Sequence, residues 1–148
     1  MELSKKEYSN MYKSSSPKSP ILKDCILAFL SGGLICTLGQ VLLEFYTGIL
    51  KLAKEDAQTW VSITLVFLGV LLTALNIYDK IAKHAGAGTL VPITGFANSI
   101  ASPAMEFKQE GHILGTGAQM FVIAGPVLVF GVIASVLYGI FVWLFKLY

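Results

Sequence analysis

The sequence predicts an all-α integral membrane protein with three to four transmembrane helices and a Gly/Pro-rich broken or re-entrant segment. Three observations carry this reading. Of the 148 residues, 55% are hydrophobic and only 14% charged, where a soluble domain holds about 25% charged residues. Long apolar runs alternate with short charged turns, at lengths suited to a hydrocarbon layer about 30 Å thick. Between two such runs lies Ala85–Ser102, AGAGTLVPITGFANSIAS, which is rich in Gly, Ser and Thr and holds no Lys, Arg, Asp or Glu. It is too polar for a lipid-facing helix and too uncharged for a soluble loop. Irregular backbone persists at membrane depth only where protein or a water-filled cavity satisfies its polar groups. This segment is therefore the expected working part of the molecule.

The elements follow in order. Residues 1–23 read as a flexible polar tail, because Ser14 to Pro17 and Ser19-Pro20 oppose a stable helix; Leu3–Lys13 is compatible with a short surface helix. Residues 24–148 form one transmembrane domain. Its first span covers about Cys25–Tyr46, and within it Gly33, Thr37, Gln40 and Glu44 recur at helical spacing as a small, polar stripe. A charged loop, Lys51 to Asp56, leads to a second span at about Gln58–Tyr78. Trp60 and Tyr78 stand there as interfacial anchors. This helix is expected to carry its own stripe, Ser62, Gly69, Thr73 and Asn76, and the two stripes to pack together or line a shared path.

Beyond the charged turn at Asp79 to His84 comes the broken segment, 85–102. Val91-Pro92 disfavours helix at Val91. Ser102-Pro103 reads as an N-cap followed by proline at the first helical position, starting a short helix that Gly111 ends. Ile113 to Phe145 is then apolar for 33 residues, although about 20 suffice to span. Either this helix is tilted and extended, or Gly115 to Pro126 interrupts it, with Gly125-Pro126 as the kink. Gly131, Ser135 and Gly139 share a face near its end, where Trp143, Lys146 and Tyr148 serve as anchors. Five tail lysines (Lys5, Lys6, Lys13, Lys18, Lys23) place the N-terminus in the cytoplasm. The C-terminus is inside if residues 85–102 cross and outside if they re-enter.

Several function classes find no support. A net charge of +2 without a basic stripe excludes a nucleic-acid reading. No nucleophile–base constellation, HExxH motif or acidic metal cluster is present, so neither an enzyme nor a cofactor or metal site is expected. Cys25 and Cys36 read as small apolar side chains on one helix face. Gly86-x-Gly88 and Gly115-x-Gly117 lack the context of nucleotide loops. His84 and His112 read as solvated residues. The candidates for a permeation or gating role are Gln40, Glu44, Thr73, Asn76, Gly86, Gly88, Pro92, Thr94, Gly95, Asn98 and Ser99. For Gln40, Thr73 and Asn76 the competing reading is helix–helix packing, and for Glu44 an interfacial carboxylate. An interrupted helix presents its positive N-terminal dipole at membrane depth, an end suited to a carboxylate.

The blocks AFLSGGLICTLGQ (28–40), IYDKIAKHAGAG (77–88), VPITGFANSIAS (91–102), MEFKQEGHILG (105–115) and VFG (129–131) resemble the stage V sporulation protein AC/AE-B family. The resemblance covers about residues 24–145, and the polar N-terminal extension fits the AC type better. It implies a multispanning protein of the inner membrane of the developing and dormant bacterial spore. It further implies action with other stage V A sporulation proteins, including an AE-B-like paralogue. The implied cargo is dipicolinic acid, as its calcium chelate, moved inward in sporulation and outward in germination, with tension-gated channel behaviour linked to the AC type. No enzymatic activity or cofactor is implied.

Two functional readings follow: a pore-forming transport subunit, in which residues 85–102 with Gln40 and Asn76 form a constriction, and a non-conducting membrane scaffold that assembles other subunits. A chain of this size is small for a channel, so a homo- or hetero-oligomer in the bilayer is expected.

Overall fold

The computed structural model describes residues 8, 9, 11 and 20–146; most of the tail, with most of the expected Leu3–Lys13 helix, and the Tyr148 anchor lie outside the described residues. Among the described residues all regular structure is helical. Helix α1 spans Ile21–Gly48 and α2 spans Lys54–Ala74. Acidic residues in the first turns, Asp24 in α1 and Glu55 and Asp56 in α2, complement the positive end of the helix dipole. Hydroxyl side chains inside these helices donate to the carbonyl one turn back, as Thr37 does to Gly33 O (2.9 Å) and Ser62 to Gln58 O (3.0 Å). That local bond lets a polar side chain sit in an apolar layer without a partner on another helix.

Helix α2 stops at Ala74, short of Tyr78, because Asn76 adopts a left-handed backbone (φ 55°). The Asn76 N–H donates to Thr73 O (2.9 Å) and the Ile77 N–H to Leu72 O (3.0 Å), the paired closure of a Schellman motif. Asn76 is thus the capping residue of a turn and not a member of the α2 stripe. Asparagine tolerates this conformation better than most residues, which is why the helix ends there.

Three short helices follow: α3 (Tyr78–Ala85), α4 (Ala87–Leu90) and α5 (Ile93–Glu106). Gly86 separates the first two with φ 54° and ψ −130°, a combination that side chains resist. The chain leaves helix at Val91-Pro92 as expected, although Val91 itself keeps helical angles and the break comes at Pro92 (ψ 163°). Ser102-Pro103 does not start a helix. Helix α5 runs straight through it, with Pro92 as its N-cap and Pro103 in its interior. Packing of α5 against α2 and against the last helix outweighs the local preference of the Ser-Pro pair.

At 14 residues, α5 is about 21 Å long, short of the roughly 30 Å hydrocarbon layer. A 3-10 turn, Phe107–Glu110, carries it to Gly111 (φ 99°). The last apolar run opens as a π-helical turn, His112–Gly117, closed by Thr116 N–H to Gly111 O (2.9 Å). It continues as α6, Ala118–Leu144, through Pro126. The extended option therefore holds for this run, with its irregularity at 112–117. Among the described residues, three helices are long and apolar enough to cross a membrane: Ile21–Gly48, Lys54–Ala74 and His112–Leu144.

The core is small. Ala57, Leu65, Gly69, Thr73, Tyr78, Ala85, Ala97 and Ala124 are buried, whereas nearly every side chain of α6 after Gly125 is exposed. An apolar helix exposed all round faces lipid or another chain.

Candidate functional site

The broken segment is built around a buried tyrosine. Tyr78 is only 5% exposed, so it is not the interfacial anchor that its position at a span end suggests. Its hydroxyl donates to Thr89 O (2.7 Å) and lies 3.3 Å from Thr94 Oγ1. Thr89 closes its own turn by donating to Gly86 O (3.0 Å). One phenol thereby fixes α4 and the start of α5 from the first turn of α3. Buried backbone carbonyls released by chain breaks need such partners, and in a membrane no water supplies them.

Two glycines bring backbones together here. A Cβ on Gly88 would run into Ser31 Oγ and Ala28 O of α1, and one on Gly95 into Thr89 O and Leu90 O. On α2, a Cβ on Gly69 would lie 2.9 Å from Thr94 O. Ser31 Oγ also reaches Ala85 O (3.3 Å). The segment is therefore wedged: α4 sits against α1 through Gly88, and α5 against α2 through Gly69. One helical turn further along α2, Thr73 Oγ1 lies 2.7 Å from Gly69 O and 2.8 Å from Asn98 Oδ1, sharing one hydrogen between them.

Beside this seam is a half-open crevice of about 370 Å³, lined by Tyr78, Gly86, Thr89, Gly95, Asn98, Ser99, Ser102, Pro103, Glu106 and Ile123, among others. That volume falls within the range of small-molecule sites, about 300–1,000 Å³. Asn98, Ser102 and Glu106 recur every four residues and so share one face of α5. The lining offers hydroxyl and amide groups, one carboxylate and no cationic side chain.

The two expected stripes do not meet. Gly33, Thr37, Gln40 and Glu44 are all exposed on α1. Gln40 Nε2 donates to Glu44 Oε1 (3.2 Å) along the same face. Helix α1 meets α2 elsewhere, where Gly39 faces Leu65 and Val61 and the Tyr46 and Thr64 hydroxyls lie 2.8 Å apart. Of the α2 stripe, Gly69 and Thr73 turn inward to α5, Ser62 is exposed and Asn76 is in the turn. The stripes diverge because α5 takes the place on α2 that α1 was expected to fill.

These observations describe an all-helical chain with, among the described residues, three helices long and apolar enough to cross a membrane and an interrupted segment packed between them. The sequence model of the SpoVAC/SpoVAEB sporulation membrane protein family matches residues 24–141. The chain belongs to this family. It is also 44% identical over 142 residues to stage V sporulation protein AC of Bacillus subtilis (strain 168), an alignment covering 96% of this chain and 95% of that one. No solved structure matches it.

Within this SpoVAC/SpoVAEB member, the sequence candidates fall into two groups. Thr73, Gly86, Gly88, Thr94, Gly95, Asn98 and Ser99 belong to the seam and crevice, Pro92 caps α5 beside them, and Gln40 and Glu44 form a separate outward pair; Asn76 joins none of these. Sequence reasoning missed Tyr78, Thr89 and Ser31. The signal was present for Tyr78: the Asn76 turn detaches it from the preceding span, and the Thr-rich segment 89–94 supplies its partners. Sequence reasoning also missed Thr116, whose buried Oγ1 has no hydrogen-bond partner among the described residues, because a π turn leaves no periodicity to read.

Proposed function

We propose that this protein is a subunit of a multi-chain channel in the forespore inner membrane. It moves dipicolinic acid as its calcium chelate into the developing spore and out during germination, and it opens under bilayer tension. The observation that carries the reading is the outward Gln40–Glu44 pair on a membrane-spanning helix. Polar side chains within spans face protein or water-filled cavities because lipid offers them no partners. Repeated around an axis in several copies, or in copies mixed with an AE-B-like paralogue and other stage V A proteins, this face lines a wet path.

The exposed apolar length of α6 supplies the lipid contact that bilayer tension acts on. Helix α5 is too short to cross, which favours a re-entrant segment 85–102 and opposite sides for the two termini, the N-terminus cytoplasmic. The broken segment then acts as the element that repacks on opening, with Gly88 and Gly95 as its tight contacts. Both polar surfaces carry a carboxylate, Glu44 or Glu106, and no cation. Such a lining repels a bare dicarboxylate and accepts a neutral calcium chelate.

The test is single-channel recording of the purified full-length protein in planar bilayers under tension. Channel events whose conductance changes in Gln40→Leu are expected. Absence of events in the parent protein at any tension, alone and co-reconstituted with the AE-B-like paralogue and the other stage V A proteins, favours the scaffold reading and overturns this one.

A further inference from the structure

A second crevice, of about 490 Å³, opens where the start of α1 meets the end of α3. Its polar walls are Asp24 on α1 and Lys83 and His84 on α3, and its floor includes Ile21, Ala28 and Ala87. Among the described residues, neither Asp24 nor Lys83 makes an ion pair, and both are exposed. The His84 ring is held by Nδ1 against Lys80 O (3.0 Å). Through Ala28 and Ala87 the crevice continues into an almost wholly apolar groove of about 330 Å³. That groove follows α1 from Ala28 to Cys36, about 12 Å at 1.5 Å per residue, with Val91 and Pro92 on its other side.

A mouth with both signs of charge above an apolar groove is the shape of a zwitterionic amphiphile. The two signs stand on different helices, so one headgroup bridges α1 and α3. We propose that this site holds one aminophospholipid, its phosphate at Lys83 beside His84, its primary ammonium at Asp24, and one acyl chain in the groove past Gly33. A quaternary ammonium cannot donate a hydrogen bond to Asp24, and a glycerol headgroup leaves Asp24 facing the phosphate without a counter-charge. The primary amine is therefore the group the site selects.

The experiment is native mass spectrometry of the full-length, delipidated protein with phosphatidylethanolamine, phosphatidylglycerol and phosphatidylcholine of equal chain length. Retention of one phosphatidylethanolamine is expected, preferred about three- to fivefold, the scale of an exposed ion pair. Asp24→Asn removes its advantage over phosphatidylcholine, and Lys83→Gln lowers retention of all three lipids. Gly33 has open space at its Cβ, so Gly33→Leu fills the groove with the charges and packing intact and displaces the lipid. Lys51→Gln, in the loop beyond the far end of α1, changes nothing. Equal retention of the three lipids, preference for phosphatidylglycerol, displacement by a soluble dicarboxylate, or retention unaffected by both Asp24→Asn and Gly33→Leu overturns the proposal.

Discussion

Replacing Tyr78 by Phe isolates the bond that holds the broken segment. The ring stays and only the hydroxyl is lost, so the cavity created is negligible. Thr89 O, 3% exposed at its residue, loses a donor at 2.7 Å, and Thr94 Oγ1 loses a neighbour at 3.3 Å. A buried acceptor left unpaired costs about 1–3 kcal/mol. For a chain of this length each kcal/mol lowers the midpoint by about 2–4 °C, so a drop of roughly 4–8 °C is expected for the central value of about 2 kcal/mol. The assay is thermal unfolding of the purified protein in a mild detergent, followed by far-UV circular dichroism. Tyr78→Trp is expected to cost at least as much, because a larger ring does not fit a site that is 5% exposed. An interfacial anchor behaves in the opposite way: Phe and Trp both serve at that level with little change. Unfolding midpoints of both variants within 1 °C (roughly 0.3–0.5 kcal/mol) of the parent would refute the seam.

Four further outcomes follow from the same geometry. Gly95→Ala and Gly88→Ala, which drive a methyl into backbone carbonyls, are expected to destabilise by at least the 1–3 kcal/mol of overpacking, whereas Gly131→Ala, with open space around it, is neutral or slightly stabilising; detergent melting curves compare the three. A double-mutant cycle on Thr73→Val and Asn98→Ala is expected to give a coupling of about 0.6 kcal/mol, the average for hydrogen bonds between membrane helices, and a coupling of zero removes the α2–α5 bond from the account. Glu44→Gln is expected to shift the reversal potential of the channel under a salt gradient toward lower cation preference, as removal of a carboxylate from a wet path requires; an unchanged reversal potential excludes Glu44 from the path. Cys25 and Cys36 are both free thiols, so two thiols per chain are expected to react with a small maleimide in denaturant without prior reduction, counted by intact mass.

The sequence by itself determined the class of the protein and the location of its irregular part. Apolar run length, charge at the turns and lysine placement are local properties, and they suffice to mark spans at about Cys25–Tyr46 and Gln58–Tyr78, the apolar run Ile113 to Phe145, and residues 85–102 as the irregular part. Pro92 and Gly86 were legible too, since each imposes its backbone without help from neighbours. What surrounds the break was decided only in three dimensions. A stripe at helical spacing says which residues share a face, but not what that face meets. Thus the α1 stripe turns outward while Gly69 and Thr73 meet α5. Pro103 sits inside a helix because packing on α2 and α6 holds it there. Tyr78, two residues past the left-handed Asn76, is carried from the expected membrane surface into the core, where its hydroxyl meets a carbonyl eleven residues away. Local preferences set where the chain breaks; the need to pair polar groups within an apolar layer set how the pieces close around the break.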